Sequence, residues 1–428
     1  MEASRREVGQ AIAGGLIAGA LGNMVVPSAL AKAISGPGAI ELAPSILDYL
    51  GDLDLAVAEL ANTWKPDDPH YRADVYRQIM MNLSYSYFAF FHADPEHPDW
   101  SPLWNPVYLQ QPNPDTLYLY APMRDDLTYR VSGNRGTCHS VVITTQQGFS
   151  GFVDTAAEVK NMKIFDVKNA KIGPDNELEI IFSRKKPDGY AGNWVQIEPG
   201  TDTMMVRYIS QDWTNEQDPS LSIECLDTVP LKKRLSPEVI VERIRKMAIF
   251  PARMDRLFFK MEDDLKKRVG VNKFDVFVMP GVEFQAYWPA AFEFSPGEAL
   301  IVETELPEKR PYWNLQINDP YFNIVEYVYR LSSTNGAFAK LSSDGKFRAV
   351  VALEDPGVPN WLDTAGFTEG TLWGRWYDCS STPMPKLTRV PFNKIRDYLP
   401  DDTPVVTPEQ RAEELRARVR ACQRRRRW

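Results

Sequence analysis

Apolar residues recur at helical spacing from Ile40 to Trp64 (Ile46, Leu47, Leu50, Leu53, Val57, Leu60) and again from Tyr71 to Phe91. Pro95 and Pro98 follow the second stretch and force extended backbone. From Val107 to Trp213 the pattern shortens into apolar runs of strand type: Leu117–Tyr120, Tyr129–Val131, Ser140–Ile143 and Met204–Tyr208. Turn signals such as Ser132-Gly133-Asn134-Arg135-Gly136 and Pro174-Asp175-Asn176 separate them. Helical spacing returns from Ser236 to Val269. Ser236 is suited to the N-cap, Pro237 to the first turn and Gly270 to the left-handed stop. Strands resume from Phe284 to Tyr377, with Ser343–Lys346 as a hairpin turn. Thr407-Pro408-Glu409-Gln410 is a capping box that opens a last helix.

This pattern divides the chain into an export leader (1–33), a helical segment (34–100), a first β-domain (101–230), a helical connector (231–283), a second β-domain (284–400) and a C-terminal helix with a basic tail (401–428). The expected class is α+β and β-rich. A faint repeat links the two β-domains. Gly192-Asn193-Trp194 is followed by Arg207-Tyr208 at 13 residues from the Trp, and Pro359-Asn360-Trp361 by Arg375-Trp376 at 14.

Composition narrows the function classes. The 428 residues include 49 basic and 57 acidic side chains, a net charge of −8 that disfavours general nucleic-acid binding. The one basic block, Arg424–Arg427, reads as a solvated end. At the N-terminus, Ser4-Arg5-Arg6-Glu7-Val8 has twin-arginine form. An apolar stretch to Leu30 and Ala31-Lys32-Ala33 follow it, so a periplasmic or secreted location is expected. An uncleaved membrane anchor is the alternative, and no later segment is long and apolar enough to span. The four cysteines contain no Cys-x-x-Cys, which disfavours a zinc ribbon or dithiol site but leaves disulfides open.

Trp313-Asn314-Leu315-Gln316, Ser343-Asp344-Gly345 and the run from Asp355-Pro356-Gly357 through Asn360-Trp361 to Asp363-Thr364 resemble the bacterial domain-of-unknown-function family numbered 1214. Asn113-Pro114-Asp115-Thr116-Leu117-Tyr118 is similar to the signature of the family numbered 1254. The resemblance implies two β-sandwich or jelly-roll-like domains with helical insertions, and no mechanism. Where many relatives are expected to carry Gly-His after the Asp-Thr run, Gly366 is followed here by Phe367.

All four histidines lie at or before His139, so any imidazole chemistry belongs to the first third of the chain. His92, Asp94, Glu96, His97 and Asp99 offer donors suited to a divalent metal, with His92, Asp94 and His97 as the candidate ligands. The prolines make neighbouring donors diverge. Asp115 stands at a strand mouth as a candidate general base, with His139 and His92 as further acid–base candidates. Its alternative is an Asx-turn role. Tyr118, Arg130, Arg135, Trp361, Asp363 and Arg375 are ligand-binding candidates, and an Asp363–Arg375 pair is the preferred structural reading of those two. Trp361, Trp373 and Trp376 are a candidate stacking platform. Cys138 and His139 are adjacent on a strand, so their side chains point to opposite faces. No Gly-x-Gly-x-x-Gly, P-loop or His-Glu-x-x-His occurs. Two function classes stay open. One is a hydrolase or lyase for a small carbohydrate or aromatic compound; the other is a non-catalytic binder of a small-molecule ligand with an aromatic pocket and Arg anchors. A homo-oligomer is compatible with either.

Overall fold

The computed structural model describes residues 45–61, 69–155, 158–279 and 282–425. The leader and the last three residues lie outside them. Three helices, α1 (Leu53–Ala61), α2 (Pro69–Tyr87) and α3 (Pro237–Val269), flank a first set of strands. These are β1 (Ser101–Pro102), β2 (Thr116–Pro122), β3 (Tyr129–Asn134), β4 (Ser140–Gln147), β5 (Lys160–Asp166), β6 (Glu177–Ser183), β7 (Asn193–Gln196), β8 (Thr203–Ile209) and β9 (Ser220–Cys225). After α3 come β10 (Lys273–Phe274), β11 (Phe277–Val278), β12 (Gln285–Glu293), β13 (Glu298–Thr304), β14 (Tyr312–Asn318), β15 (Ser333–Asn335), β16 (Phe347–Ala352), β17 (Trp361–Asp363), β18 (Glu369–Tyr377) and β19 (Lys386–Pro391), then α4 (Pro408–Arg424).

The strands build the same unit twice. In the first, β2-β8-β4-β5 and β7-β6-β3-β9 are the strand orders of two sheets; in the second, β12-β18-β14-β15 and β17-β16-β13-β19 repeat both orders. The parallel strand pairs also correspond, β6 with β7 and β16 with β17. Of the β-sandwich or jelly-roll-like domains that the family resemblance implies, a jelly-roll strand order is not what these sheets show. In each unit the two sheets share one core. Tyr129, Phe182, Val206 and Tyr208 fill the first, and Trp288, Trp313, Phe347 and Trp376 the second.

The short Asn-Trp repeat has a physical basis. The Asn193 amide donates to the carbonyls of Lys171 and Glu179 and accepts from Lys171 N–H. Asn360 makes the same three bonds to Lys340 and Arg348. Each asparagine therefore ties a loop to the edge where a parallel strand begins, satisfying backbone groups that the ladder leaves open.

The helical ends follow local chemistry. Ser236 caps α3 through Val239 N–H, Gly270 stops it with φ +83°, and Thr407 and Gln410 complete the capping box of α4. α2 and α3 cover part of the outer face of the first unit through Tyr85, Phe250 and Met254, and reach Tyr321 of the second through Ile79 and Phe259. The rest of that face meets the second unit, and the seam between them carries the polar residues described next. Among the described residues no helix is long and apolar enough to cross a membrane.

Two buried carboxyls fix a pH response. Asp255 on α3 accepts from Gln78 and Asn82 at one oxygen, while its other oxygen has no partner among the described residues. Burial raises its pKa to about 7 against these bonds, and burial raises Asp319 to about 7 as well. A carboxyl whose folded pKa is raised contributes stability that is full below its unfolded value near 4 and lost as pH rises through about 7. Asp255→Asn, a neutral isostere, is therefore expected to be more stable than the native chain at pH 8, by on the order of a few kcal/mol. It should also gain less on acidification to pH 5. Urea midpoints at the two pH values check this; equal pH slopes for both proteins would refute it.

Candidate functional site

The corner that opens β2 is built by Asn113, not Asp115. Asn113 Oδ1 accepts the Asp115 N–H at 3.0 Å and Nδ2 of Asn314 at 2.9 Å, while its own amide donates to the Tyr312 hydroxyl at 2.7 Å. The turn thereby points the Asp115 carboxylate across the seam. There Oδ1 accepts from Trp213 Nε1 (2.9 Å) and Asn335 Nδ2 (2.8 Å), and Oδ2 from the Tyr312 hydroxyl (2.7 Å). Asp115 is 3% exposed. Burial raises its pKa to about 6, opposed by the three donors and by the Arg425 guanidinium. The carboxylate joins both units. The His139 ring stands 5.8 Å from that of Tyr312, and burial lowers its pKa. Cys138 points the other way, into the first core.

Of the basic run Arg424–Arg427, expected as a solvated end, Arg424 is exposed, Arg426 and Arg427 lie outside the described residues, and Arg425 departs from the expectation. It is 8% exposed. It forks onto Asp218 at 2.9 and 3.0 Å and donates to the carbonyls of Pro114 and Asp115. The chain end thus closes on the Asp115 corner, because a bidentate carboxylate and two backbone acceptors satisfy a buried guanidinium better than solvent at a frayed end would.

A second polar group occupies the seam. On β8, Arg207 stands in register with Tyr118 of β2 and Val142 of β4; on β18, Arg375 stands in register with Tyr287 of β12 and Asn314 of β14. The two arginines are equivalent positions of the repeat, both facing away from their own cores. They also bond alike. Arg207 donates to Thr144 Oγ1 at 3.0 Å and Arg375 to Gln316 Oε1 at 2.8 Å, each two residues beyond its register partner. Arg375 also donates to Gln111 Oε1 at 2.7 Å. Among the described residues neither guanidinium has a carboxylate within ion-pair distance, although Arg375 is 4% exposed. The Tyr287 hydroxyl sits in the field of both arginines, which oppose the rise in pKa that burial imposes, and Arg375 lies 5.7 Å from its ring centroid. Arg207, Tyr287 and Gln111 are half-buried. Backbone strain concentrates beside them: Tyr108, Gln110 and Gln111 hold φ of +60°, +60° and +49°. Each left-handed non-glycine residue costs about 1–2 kcal/mol, and such clusters collect where a loop is held for a purpose.

The other candidates are spread elsewhere. Asp363 pairs with Arg330 at 2.8 Å and caps the Ala365 N–H, so the Asp363–Arg375 pair does not form. Asp363 ends β17 in the smaller sheet, whereas strand alternation turns Arg375 outward onto the seam. The three tryptophans do not make a platform. Trp376 stacks on Trp288 inside the core, Trp373 packs against Phe322 on the opposite face, and Trp361 lies under Arg411. Arg130 pairs with Glu224 at the surface, and Arg135 donates to the carbonyls of Gly136 and Cys138. His92 contacts Asp99 at 2.9 Å and His97 contacts Asp94 at 3.0 Å, so the proposed metal donors form two separate pairs. Among the described residues no group of three His, Cys, Asp or Glu side chains gathers as ligands would. Among the described residues Cys138, Cys225 and Cys379 are free thiols. The Asp355 run is architectural: its carboxylate grips Arg411 of α4 at 2.8 and 3.1 Å. Arg207, Tyr287, Gln111 and Tyr312 escaped the sequence reading as site residues. The Arg-aromatic half of the repeat was the signal for Arg207.

Residues 122–211 match the model of a family described as a protein of unknown function, DUF1214. The match covers the end of β2 to the residues just after β8, in the first unit; the Trp313–Thr364 motifs lie outside it. The likeness to the family numbered 1254 finds no support. In overall structure the chain resembles an uncharacterized protein from Burkholderia cenocepacia, with 26% identity and a TM-score of 0.74 over 81% of this chain and 96% of that one. The VPA0106 protein from Vibrio parahaemolyticus aligns with 11% identity and a TM-score of 0.42 over 79% of this chain and 100% of that one. No curated protein matches the sequence.

Proposed function

We propose that this is an exported binding protein for a small organic acid, held in the seam between the two repeated units by Arg207 and Arg375. The observation that carries the reading is the pair of guanidiniums on equivalent strands, both bonded to neutral oxygens and without a carboxylate partner among the described residues. A buried cation without a counter-ion is costly, and an anionic ligand relieves that cost through charge-assisted bonds. Tyr118 and Tyr287 add aromatic faces and hydroxyls beside the arginines, so an acid with a ring or hydroxyl groups fits best. The twin-arginine-like leader supports export. Binding is favoured over hydrolysis because Asp115, the candidate base, is already held by three donors.

Isothermal titration with malate, citrate, benzoate and galacturonate tests the reading. At least one acid should bind with a Kd below about 1 mM, and Arg375→Gln or Arg207→Gln should weaken it at least tenfold, about 1.4 kcal/mol. Retained affinity in the double variant, or no binding by any of the four, would argue against it.

A further inference from the structure

A cavity of about 840 Å³ lies between the second unit and the C-terminal segment that wraps over it. Phe338, Leu341, Val350, Leu399 and Val405 supply apolar wall, and Ala417 of α4 lies on its helical side. Among the described residues four cations line it: Arg411 pairs with Asp355 and Glu414, Arg348 pairs with Glu303 and Asp344, and Lys340 is exposed to solvent. Arg418 is different. Its donors reach the Tyr327 carbonyl (2.6 Å) and the Ser333 carbonyl and hydroxyl (3.2 and 2.7 Å), all neutral, and its guanidinium lies 4.7 Å from the Trp213 ring centroid. The acidic groups that act on it, Asp115, Glu326 and Glu414, do so through space.

We propose that this cavity binds an amphiphilic monocarboxylate, its apolar body along Phe338, Leu341, Val350 and Val405 and its carboxylate on Arg418. The volume falls within the 300–1,000 Å³ typical of small-molecule sites, which combine apolar walls with a few polar anchors. Arg418 bonds each guanidinium nitrogen once to a neutral oxygen, which leaves one N–H on each terminal nitrogen for a carboxylate fork. This site is separate from the seam, since it uses Arg418 and not Arg207 or Arg375.

The full chain is titrated with decanoate and 2-naphthoate, each beside its neutral counterpart, decanol and 2-naphthol. At least one acid should bind one per chain, at least tenfold tighter than its alcohol. Arg418→Gln should erase that difference, and Ala417→Trp, at an exposed lining position, should block acid and alcohol alike. Tight decanoate assigns an acyl chain as the body, and tight 2-naphthoate an aromatic one. In the Arg207→Gln/Arg375→Gln background, which removes the seam anchors, one molecule of the acid per chain should still bind and still be lost on Arg418→Gln, which separates this site from the seam. No saturable binding, equal affinity for acid and alcohol, or full binding in Ala417→Trp would each overturn the proposal. If Arg418→Gln fails to fold, the acid–alcohol comparison and Ala417→Trp still decide it.

Discussion

Asp115→Ala is expected to cost about 3–5 kcal/mol of folding stability, the range for breaking a buried charged network by removing one partner. The carboxylate is the shared acceptor of Trp213, Asn335 and the Tyr312 hydroxyl, which come from the first unit and from β14 and β15 of the second. Removing it leaves three donors without acceptors in a seam that water reaches poorly, and each orphan costs about 1–3 kcal/mol. Asp115→Asn keeps an acceptor for Trp213 and Asn335 and removes a charge that burial disfavours, so it should lose far less. Urea unfolding at pH 7 measures both. An alanine variant within about 1 kcal/mol of the native chain would mean that the network does not hold the units together.

Gly374→Ala is expected to be at least as damaging, and for a different reason. Gly374 lies in β18 opposite Trp288 of β12, and a Cβ there would stand inside the Trp288 indole. Trp288 is itself stacked on Trp376, ring centroids 4.9 Å apart, in the middle of the second core. A fully buried indole between packed strands has little room to retreat, so the added methyl forces displacement of the strand or the tryptophan pair. A loss above about 4 kcal/mol is expected, enough to leave much of the protein insoluble on expression. Gly374→Ala with a native-like melting temperature would show that the core is far more plastic than its packing implies.

The elements were largely legible because their signals are local. Ser236, Pro237 and Gly270 bound α3 through bonds spanning a few residues, and the Thr407–Gln410 box does the same for α4. Cys138 and His139 do part, one into the first core and the other beside Tyr312, but both precede β4 (Ser140–Gln147), so the strand alternation expected for them is not the reason. Asn-Trp and Arg-aromatic pairs foretold the repeated unit, because the same loop tie and the same outward arginine recur in both copies.

The site was less legible. Arg375 invited a pairing with Asp363, twelve residues away, but its partners are Gln316 and Gln111, in another strand and in another part of the chain. A run of four arginines at the chain end looked solvated, yet Asp218 and two carbonyls draw Arg425 inward. Asp115 was read as a base at a rim, while three donors from distant segments bury it in a joint.

By itself, the sequence determined the caps that bound α3 and α4, the order of helical and strand-rich stretches, and a faint repeat that the two β-units share, all consequences of short-range sterics and hydrogen bonding. Only the tertiary structure decided which charges meet a counter-ion and which do not. That outcome depends on how two sheets and a chain end come together over hundreds of residues, and it left Arg207, Arg375 and Arg418 bonded to neutral oxygens.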